Sequence, residues 1–376
     1  MRVGFNARYL TSPNRRGFNR YTAELVRALA LLPDVEIVLF SDAPVHEAHH
    51  LHDLAGVRTV VQKEKRQWQW QHRELGPALA RENIDVFHAP AHWGLPWHSK
   101  IPAVATIHDL ADRELPQYFA DSSMRDRLRH RAEEWLVVRR AARIITVSEY
   151  SAASIARHLG VPRERIAVTV EGAAPAFHPG AAGDAAGVLA QLPVQQPFFA
   201  CVGGFDARKN LIVLVEAVAQ LEPALRPHFV LVGAPGPAAH ALMASAGELG
   251  VRQHFHLAGT LNDRDLAGML SAAVAVVTPS TLEGFGLPVV EAMHVGTPAI
   301  VSSAGSLPEI AGDAALICDP EDRSCFAASL RRLIDEPGTR AELARKATER
   351  ATGFTWKRAA EQTYAVYEDV LQKRNK

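Results

Sequence analysis

What most constrains this chain is an alternation of short apolar runs with longer helical stretches, repeated in two series. The first series is MRVGFNA (1–7), VEIVLF (35–40), VRTVV (57–61), IDVFHA (84–89), IPAVATIHD (101–109), RIITVSE (143–149) and RIAVTVEG (165–172). The second is FFACVGG (198–204), HFVLVGA (228–234), HFHLAGT (254–260), AVAVVTP (273–279), TPAIVSS (297–303) and AALICD (314–319). Such continuous runs read as strands buried on both faces, and strands alternating with helices build a parallel, doubly wound sheet. Between the series lies AFHPGAAGDAAGVLAQLPVQQP (176–197), rich in Ala, Gly and Pro, which reads as a linker with a short helix. The expected architecture is therefore α/β with two Rossmann-like domains, residues 1–178 and 197–354, joined by a linker over 179–196. The ligand is expected in the cleft between them, at the carboxyl ends of the strands. FTWKRAAEQTYAVYEDVLQ (354–372) has helical periodicity and predicts a terminal helix over 355–376 that packs back on the first domain.

Composition narrows the function classes. Lys+Arg and Asp+Glu both number 41, so net charge gives no support for a nucleic-acid partner. Three cysteines, Cys201, Cys318 and Cys325, lack the paired spacing of a zinc or disulfide framework and fit a reducing compartment. No run has the length of a signal peptide or a membrane span, so the expected location is the cytoplasm, with contact at the inner membrane face.

Several loops can carry chemistry. In TPSTLEGFGLPVVEAMHVGTPAIVS (278–302), Glu283 and Glu291 flank a Gly284-Phe285-Gly286-Leu287 corner between a buried strand and a helix opened by Pro288. Free N–H groups at such a corner favour an anion, and Glu291, read into the first helical turn, suits hydroxyls better than phosphate. In GGFDARKNL (203–211), Gly203 and Gly204 follow a strand, and Arg208 and Lys209 place a planar fork and a point charge at a strand-to-helix corner, a diphosphate clamp by charge and position. HLAGTLNDRDL (256–266) sets Gly259 to Leu261 before Asn262, a helix cap with Asp265 at the capping-box position, and offers backbone groups to a base edge. Gly17 precedes a helix whose Tyr21, Leu25, Val26 and Leu29 form the buried stripe. His108 follows a buried strand at its carboxyl end, where a histidine orients a hydroxyl or stabilises developing charge; His88 is a weaker candidate of the same kind. His46, His49, His50 and His52 lack carboxylate or thiol companions and read as a solvated helix face.

Taken together these segments resemble glycosyltransferase family 4, the retaining GT-B enzymes. The resemblance runs through the Gly17 loop, TIHDL around His108, ITVSEYS (145–151), VTVEGAAPAFHP (168–179), VGGFDARKNL, LAGTL, EGFGLPVVEA, GTPAIVSS and the closing FTW helix. It implies that Arg208 and Lys209 bind the donor diphosphate, Glu291 holds the ribose hydroxyls and Glu283 contacts the transferred sugar. It also implies that His108 lies beside that sugar, that the Phe285–Leu287 backbone cradles it, and that the Gly17 loop closes over the donor. The catalytic set is then His108, Arg208, Lys209 and Glu283; the donor set adds Gly17, Gly204, Gly259, Leu261, Gly284, Phe285, Gly286, Leu287 and Glu291. Two departures stand out: Gly17-Phe18-Asn19 replaces a glycine pair, and Glu171-Gly172 stands where Asn-Gly is usual, so Glu171 receives no role.

The implied reaction moves a hexose from a nucleotide-diphosphate sugar, GDP-mannose first and UDP-glucose or another hexose second, to a glycan or lipid-linked acceptor of cell-surface polysaccharide. It proceeds by same-face attack with no metal and no further cofactor. SMRDRLRHRAEEWLVVRRAARI (123–144) is read as one helix, its arginines on one side and Leu128, Trp135, Leu136 and Val137 available for the other. With KEKRQWQWQHR (63–73) it suits an anionic membrane surface, or it is an amphipathic helix docked on its sheet. Competing readings are a GT-B-like sugar-nucleotide epimerase or hydrolase, and a non-catalytic two-lobed sugar-binding protein.

Overall fold

The computed structural model of the chain describes residues 1–13, 17–63, 66–119, 123–181, 185–192 and 194–374. They form two compact units, Met1–Glu171 with Trp356–Lys376, and Gly172–Thr355. The first is built on strands β1 (Arg2–Asn6), β2 (Glu36–Ser41), β3 (Val57–Val61), β4 (Val86–Ala89), β5 (Ala103–Thr106), β6 (Ala141–Thr146) and β7 (Ile166–Val168). They lie in the order β3-β2-β1-β4-β5-β6-β7, with every pair parallel. Val3, Phe5, Val86, Phe87, Val104 and Ala105 are fully buried, the signature of central strands covered on both faces. The order reverses at β1 and β4, which makes the carboxyl ends of those strands the switch point of this sheet.

Two helices decide what stands at that edge. Gly17, at φ 54°, opens the helix Phe18–Leu29, whose Tyr21, Leu25, Val26 and Leu29 are buried as their spacing predicts. The terminal helix Trp356–Arg374 buries Trp356, Ala359, Ala360, Thr363, Tyr367 and Val370, steps of three and four that keep one stripe inward. It is tied to the first sheet: Tyr367 Oη lies 2.6 Å from His88 Nδ1 on β4, and Arg143 on β6 pairs with Asp369 at 2.6 Å.

The second unit contains β8 (Phe198–Val202), β9 (His228–Val232), β10 (Phe255–Gly259), β11 (Val276–Thr278), β12 (Ala299–Ser302) and β13 (Ala315–Cys318), all parallel, in the order β10-β9-β8-β11-β12-β13. This is the doubly wound order 3-2-1-4-5-6, with its switch point at β8 and β11.

The structure amends four expectations. The first unit ends at Glu171, not at residue 178, because Ala174, Phe177 and Ala181 bury themselves with Phe198, Val230 and Leu266 of the second unit's core. Residues 182–184 and 193 of the expected linker lie outside the described residues. The helix expected over 123–144 ends at Arg140, and Ala141 onward is β6; in it Leu136 and Val137 are buried, but Leu128 and Trp135 are each 60% exposed. Cys318 and Cys325 form a disulfide with Cα atoms 5.7 Å apart, because the Asp319-Pro320 turn returns the next helix to the end of β13; Cys201 is a buried free thiol. His46 to His52 form no solvated helix face, since Glu47–His49 is a single 3-10 turn and His49 is buried with Nε2 2.8 Å from Ser12 O. Among the described residues, no helix is long and apolar enough to cross a membrane.

Candidate functional site

The second unit brings its candidate residues together at the β8/β11 switch point. The loop after β8 turns through Ala207–Lys209 and passes Asn210 at φ 51°, a conformation that asparagine adopts more readily than most residues. Asn210 Nδ2 donates to Pro279 O at 3.1 Å and to Pro320 O at 2.7 Å, which fastens this loop to those after β11 and β13. Thr281 N donates to Arg208 O at 2.9 Å, a second staple between the β8 and β11 loops. The two cations therefore sit on a braced turn.

Glu283 is buried against both of them. Lys209 Nζ donates to Glu283 Oε1 at 2.6 Å, Ser280 Oγ to the same oxygen at 2.7 Å, and Arg208 Nη1 pairs with Oε2 at 3.3 Å while donating to Leu282 O at 2.9 Å. Burial alone would raise the Glu283 carboxyl, but Lys209 and then Arg208 outweigh it and hold the group below the usual carboxylate range. The result is a carboxylate that fixes two cations at a strand-to-helix corner, where Arg208 Nε also lies 3.7 Å from Asp206 Oδ1. Ser306 Oγ donates to Glu283 O at 3.0 Å and Phe285 O at 2.9 Å and holds the corner itself.

Beyond the corner, Gly286 sits at φ 99° in front of the helix Leu287–His294, where an added Cβ would lie 2.8 Å from Leu307 Cδ2. Only glycine meets both conditions without strain. Phe285 is buried and packs edge-on against Phe354, ring centroids 5.8 Å apart. Glu291 falls not in the first turn but in the second: the helix starts at Leu287, ahead of Pro288, so Glu291 is its fifth residue and is 3% exposed. On the β10 edge, Gly259 stands at φ 68° where the strand register shifts, and Asn262 Oδ1 accepts from Asp265 N at 2.9 Å in the expected cap, with Leu261 just before it. Gly204 follows Gly203, which has φ 144° and packs under the Lys209 stem.

In the first unit, His108 follows β5 and is held at both ring nitrogens. Nδ1 lies 3.2 Å from Glu171 Oε1 and Nε2 3.2 Å from Pro90 O, while the rings of Tyr21 and Phe18 stand 4.5 Å and 5.0 Å away. Both partners are acceptors; a neutral imidazole donates to one, an imidazolium to both. Glu171, given no role from the sequence, thus faces His108, and its departure from the usual Asn-Gly was the available signal. Asn19 is buried and donates to Ser12 Oγ at 3.3 Å, while Arg15 and Arg16 of the Gly17 loop lie outside the described residues. His88 is interior: burial pushes it down to about 3, and its nitrogens meet Tyr367 and Thr106 at 2.6 and 2.7 Å. Ser280, Ser306 and Asn210 were not singled out from sequence, since nothing local distinguishes a bracing serine from any loop serine.

Two parallel doubly wound sheets, each with a switch point, are the fold class of the GT-B glycosyltransferases. The model for Glycosyltransferase Family 4 matches residues 15–173 and that for Glycosyl transferases group 1 matches residues 190–350. The chain belongs to glycosyltransferase family 4. Among its relatives is the O-antigen chain mannosyltransferase B of Escherichia coli, 28% identical over 370 residues, covering 93% of this chain and 95% of the relative. Among solved structures, sucrose-phosphate synthase from Thermosynechococcus elongatus superposes with a TM-score of 0.78 at 22% identity, covering 99% of each chain. Anabaena Alr3699/HepE in complex with UDP-glucose superposes at 0.74 with 20% identity, covering 98% of this chain and all of the other.

Proposed function

We propose that the chain is a retaining mannosyltransferase that uses GDP-mannose to extend a glycan or lipid-linked acceptor of a surface polysaccharide, acting in the cytoplasm at the membrane face. The observation that carries the reading is the Arg208–Lys209–Glu283 arrangement at the β8/β11 switch point. Its two cations neutralise the charge that grows on a departing nucleoside diphosphate, the largest electrostatic demand of glycosyl transfer. Arg208 supplies the planar fork and Lys209 the mobile point charge. Glu283 positions both, and its remaining acceptor capacity serves a sugar hydroxyl; Glu291 serves the ribose. The backbone of Gly284, Phe285, Gly286 and Leu287, at a helix N-terminus, receives phosphate and sugar oxygens. Gly204, Gly259 and Leu261 line the nucleotide side. His108, braced by Glu171, and the Gly17 loop act on the transferred sugar.

Retention follows from same-face attack, in which the departing phosphate accepts the proton of the acceptor hydroxyl. Glu283 is committed to two cations and a serine, which leaves it poorly suited to act as a covalent nucleophile. No metal takes part in this scheme. Mannose is preferred because a relative matched over 95% of its own length is a mannosyltransferase.

A thermal-shift panel of nucleotide sugars tests the reading. A bound donor stabilises the folded state by mass action, so GDP-mannose should give the largest rise in Tm, UDP-glucose less. Stabilisation by no nucleotide sugar would contradict it.

A further inference from the structure

A second cluster in the first unit has the chemistry of a metal site. Asp112 lies in the short helix Ala111–Glu114 that follows the His108 loop, and His130 and Glu134 stand one turn apart on the helix Met124–Arg140. One ligand atom from each of the three lies within 4.8 Å of the others. His130 Nε2 is 3.5 Å from Asp112 Oδ2 and 3.5 Å from Glu134 Oε1. Those separations are long for hydrogen bonds, whose N···O distance is about 2.7–3.2 Å. They match the edge of a coordination tetrahedron, about 3.4 Å for bonds of about 2.1 Å to zinc.

Arg113 stands beside both carboxylates, its Nη2 on Glu134 and its Nε 3.9 Å from Asp112 Oδ2, yet one buried carboxylate oxygen is left over. The Glu134 side chain is 2% exposed, and its Oε1 receives no hydrogen bond. Its other oxygen is held by Arg113 Nη2, the kind of outer contact that orients a ligating carboxylate. Beside the cluster, the His92 ring stands edge-on to His130 at 4.6 Å, and both its nitrogens are buried without a hydrogen-bond partner. A single imidazole proton on His130 cannot serve two carboxylates 3.5 Å away on separate elements, whereas one ion joins all three. His130 also lines an open groove with Trp93, Arg129 and Glu133, which gives an ion a route in.

We infer that Asp112, His130 and Glu134 bind one divalent transition-metal ion of zinc-like preference, with His92 as a further donor, and that the ion clamps the loop after β5 to the helix Met124–Arg140. Imidazole with carboxylates suits Zn2+ better than the hard all-oxygen cations. This ion is structural and separate from the diphosphate chemistry proposed above, so the test reads binding rather than turnover.

Untagged, chelator-stripped full-length protein is titrated with Zn2+ by calorimetry, with circular dichroism as a check on folding. One equivalent should bind with a rise in Tm, and Asp112→Asn and His130→Gln should each weaken binding at least tenfold. Co2+ in place of Zn2+ should give visible d–d absorption that Asp112→Asn abolishes. His256→Gln, in a separate histidine group on β10, should leave both readouts unchanged. No saturable binding by the wild type, or binding that survives both Asp112→Asn and His130→Gln, would overturn the inference. If His130→Gln fails to fold, the half-exposed Asp112→Asn decides alone.

Discussion

Glu283 is the residue whose surroundings say most about the site. A buried carboxylate that contacts Lys209, Arg208 and Ser280 is stabilised only while all remain, and breaking a buried pair costs about 3–5 kcal/mol because it strands a charge. Glu283→Gln should lower the stability of the second unit by an amount of that order, read by chemical denaturation. The pH dependence has a definite sign. Because the folded carboxyl is held below its unfolded value of 4.5, its contribution is present above that pH and lost as acid titrates the folded group. Wild type should therefore lose more stability than Glu283→Gln as pH falls from 5 toward 3; parallel curves would contradict the pairing. EGFGLPVVEA and Arg208-Lys209 stand out in the sequence as a candidate site, but the ion pairing does not: Lys209 and Glu283 are 74 positions apart, and only the adjacency of β8 and β11 joins them. Glu291 was misplaced by a turn because Pro288 marks the first turn without fixing which residue opens it.

Two helices show how far periodicity reaches. In the terminal helix it gave the buried stripe, and the structure adds the polar anchor of Tyr367 on His88. His88, buried and held down to about 3, is neutral when folded and charged when unfolded below about pH 6.5. It therefore lowers stability as pH falls from 6.5 toward 3, by up to about 1.4 kcal/mol per pH unit. Tyr367→Phe should cost a further 1–3 kcal/mol or so at neutral pH by leaving an imidazole nitrogen unpaired, measured as a fall in denaturation midpoint. In Met124–Arg140 periodicity failed, because nearly every turn carries an arginine and no apolar stripe dominates. Met124, Leu128 and Trp135 are exposed, alongside Arg125, Arg127, Arg131 and Arg139, and Trp68 and Trp97 are exposed as well. That mixture suits the headgroup region of an anionic bilayer. The protein should co-sediment with anionic vesicles at low salt and Trp135→Ala should reduce this; absence of binding at low salt would retire the membrane role. Lys63 and Arg66 belong to the same basic segment, of which residues 64 and 65 lie outside the described residues.

Across the whole molecule, every strand of both sheets was legible, because buried parallel strands are continuous apolar runs that helices separate cleanly. What escaped was long-range packing: Phe177 joins the second unit although its neighbours in sequence read as linker, and Cys318 meets Cys325 across a tight turn. The proposed donor chemistry rests on how the second fold returns two distant loops to one edge. The most direct test is titration calorimetry of GDP with the wild type and with the Arg208→Ala, Lys209→Ala double variant, which needs no acceptor. Charge-assisted bonds contribute about 1.5–3 kcal/mol each, so the double variant should bind GDP at least about a hundredfold more weakly while remaining folded. Equal affinity in the two proteins would contradict the assignment of these cations to the donor diphosphate.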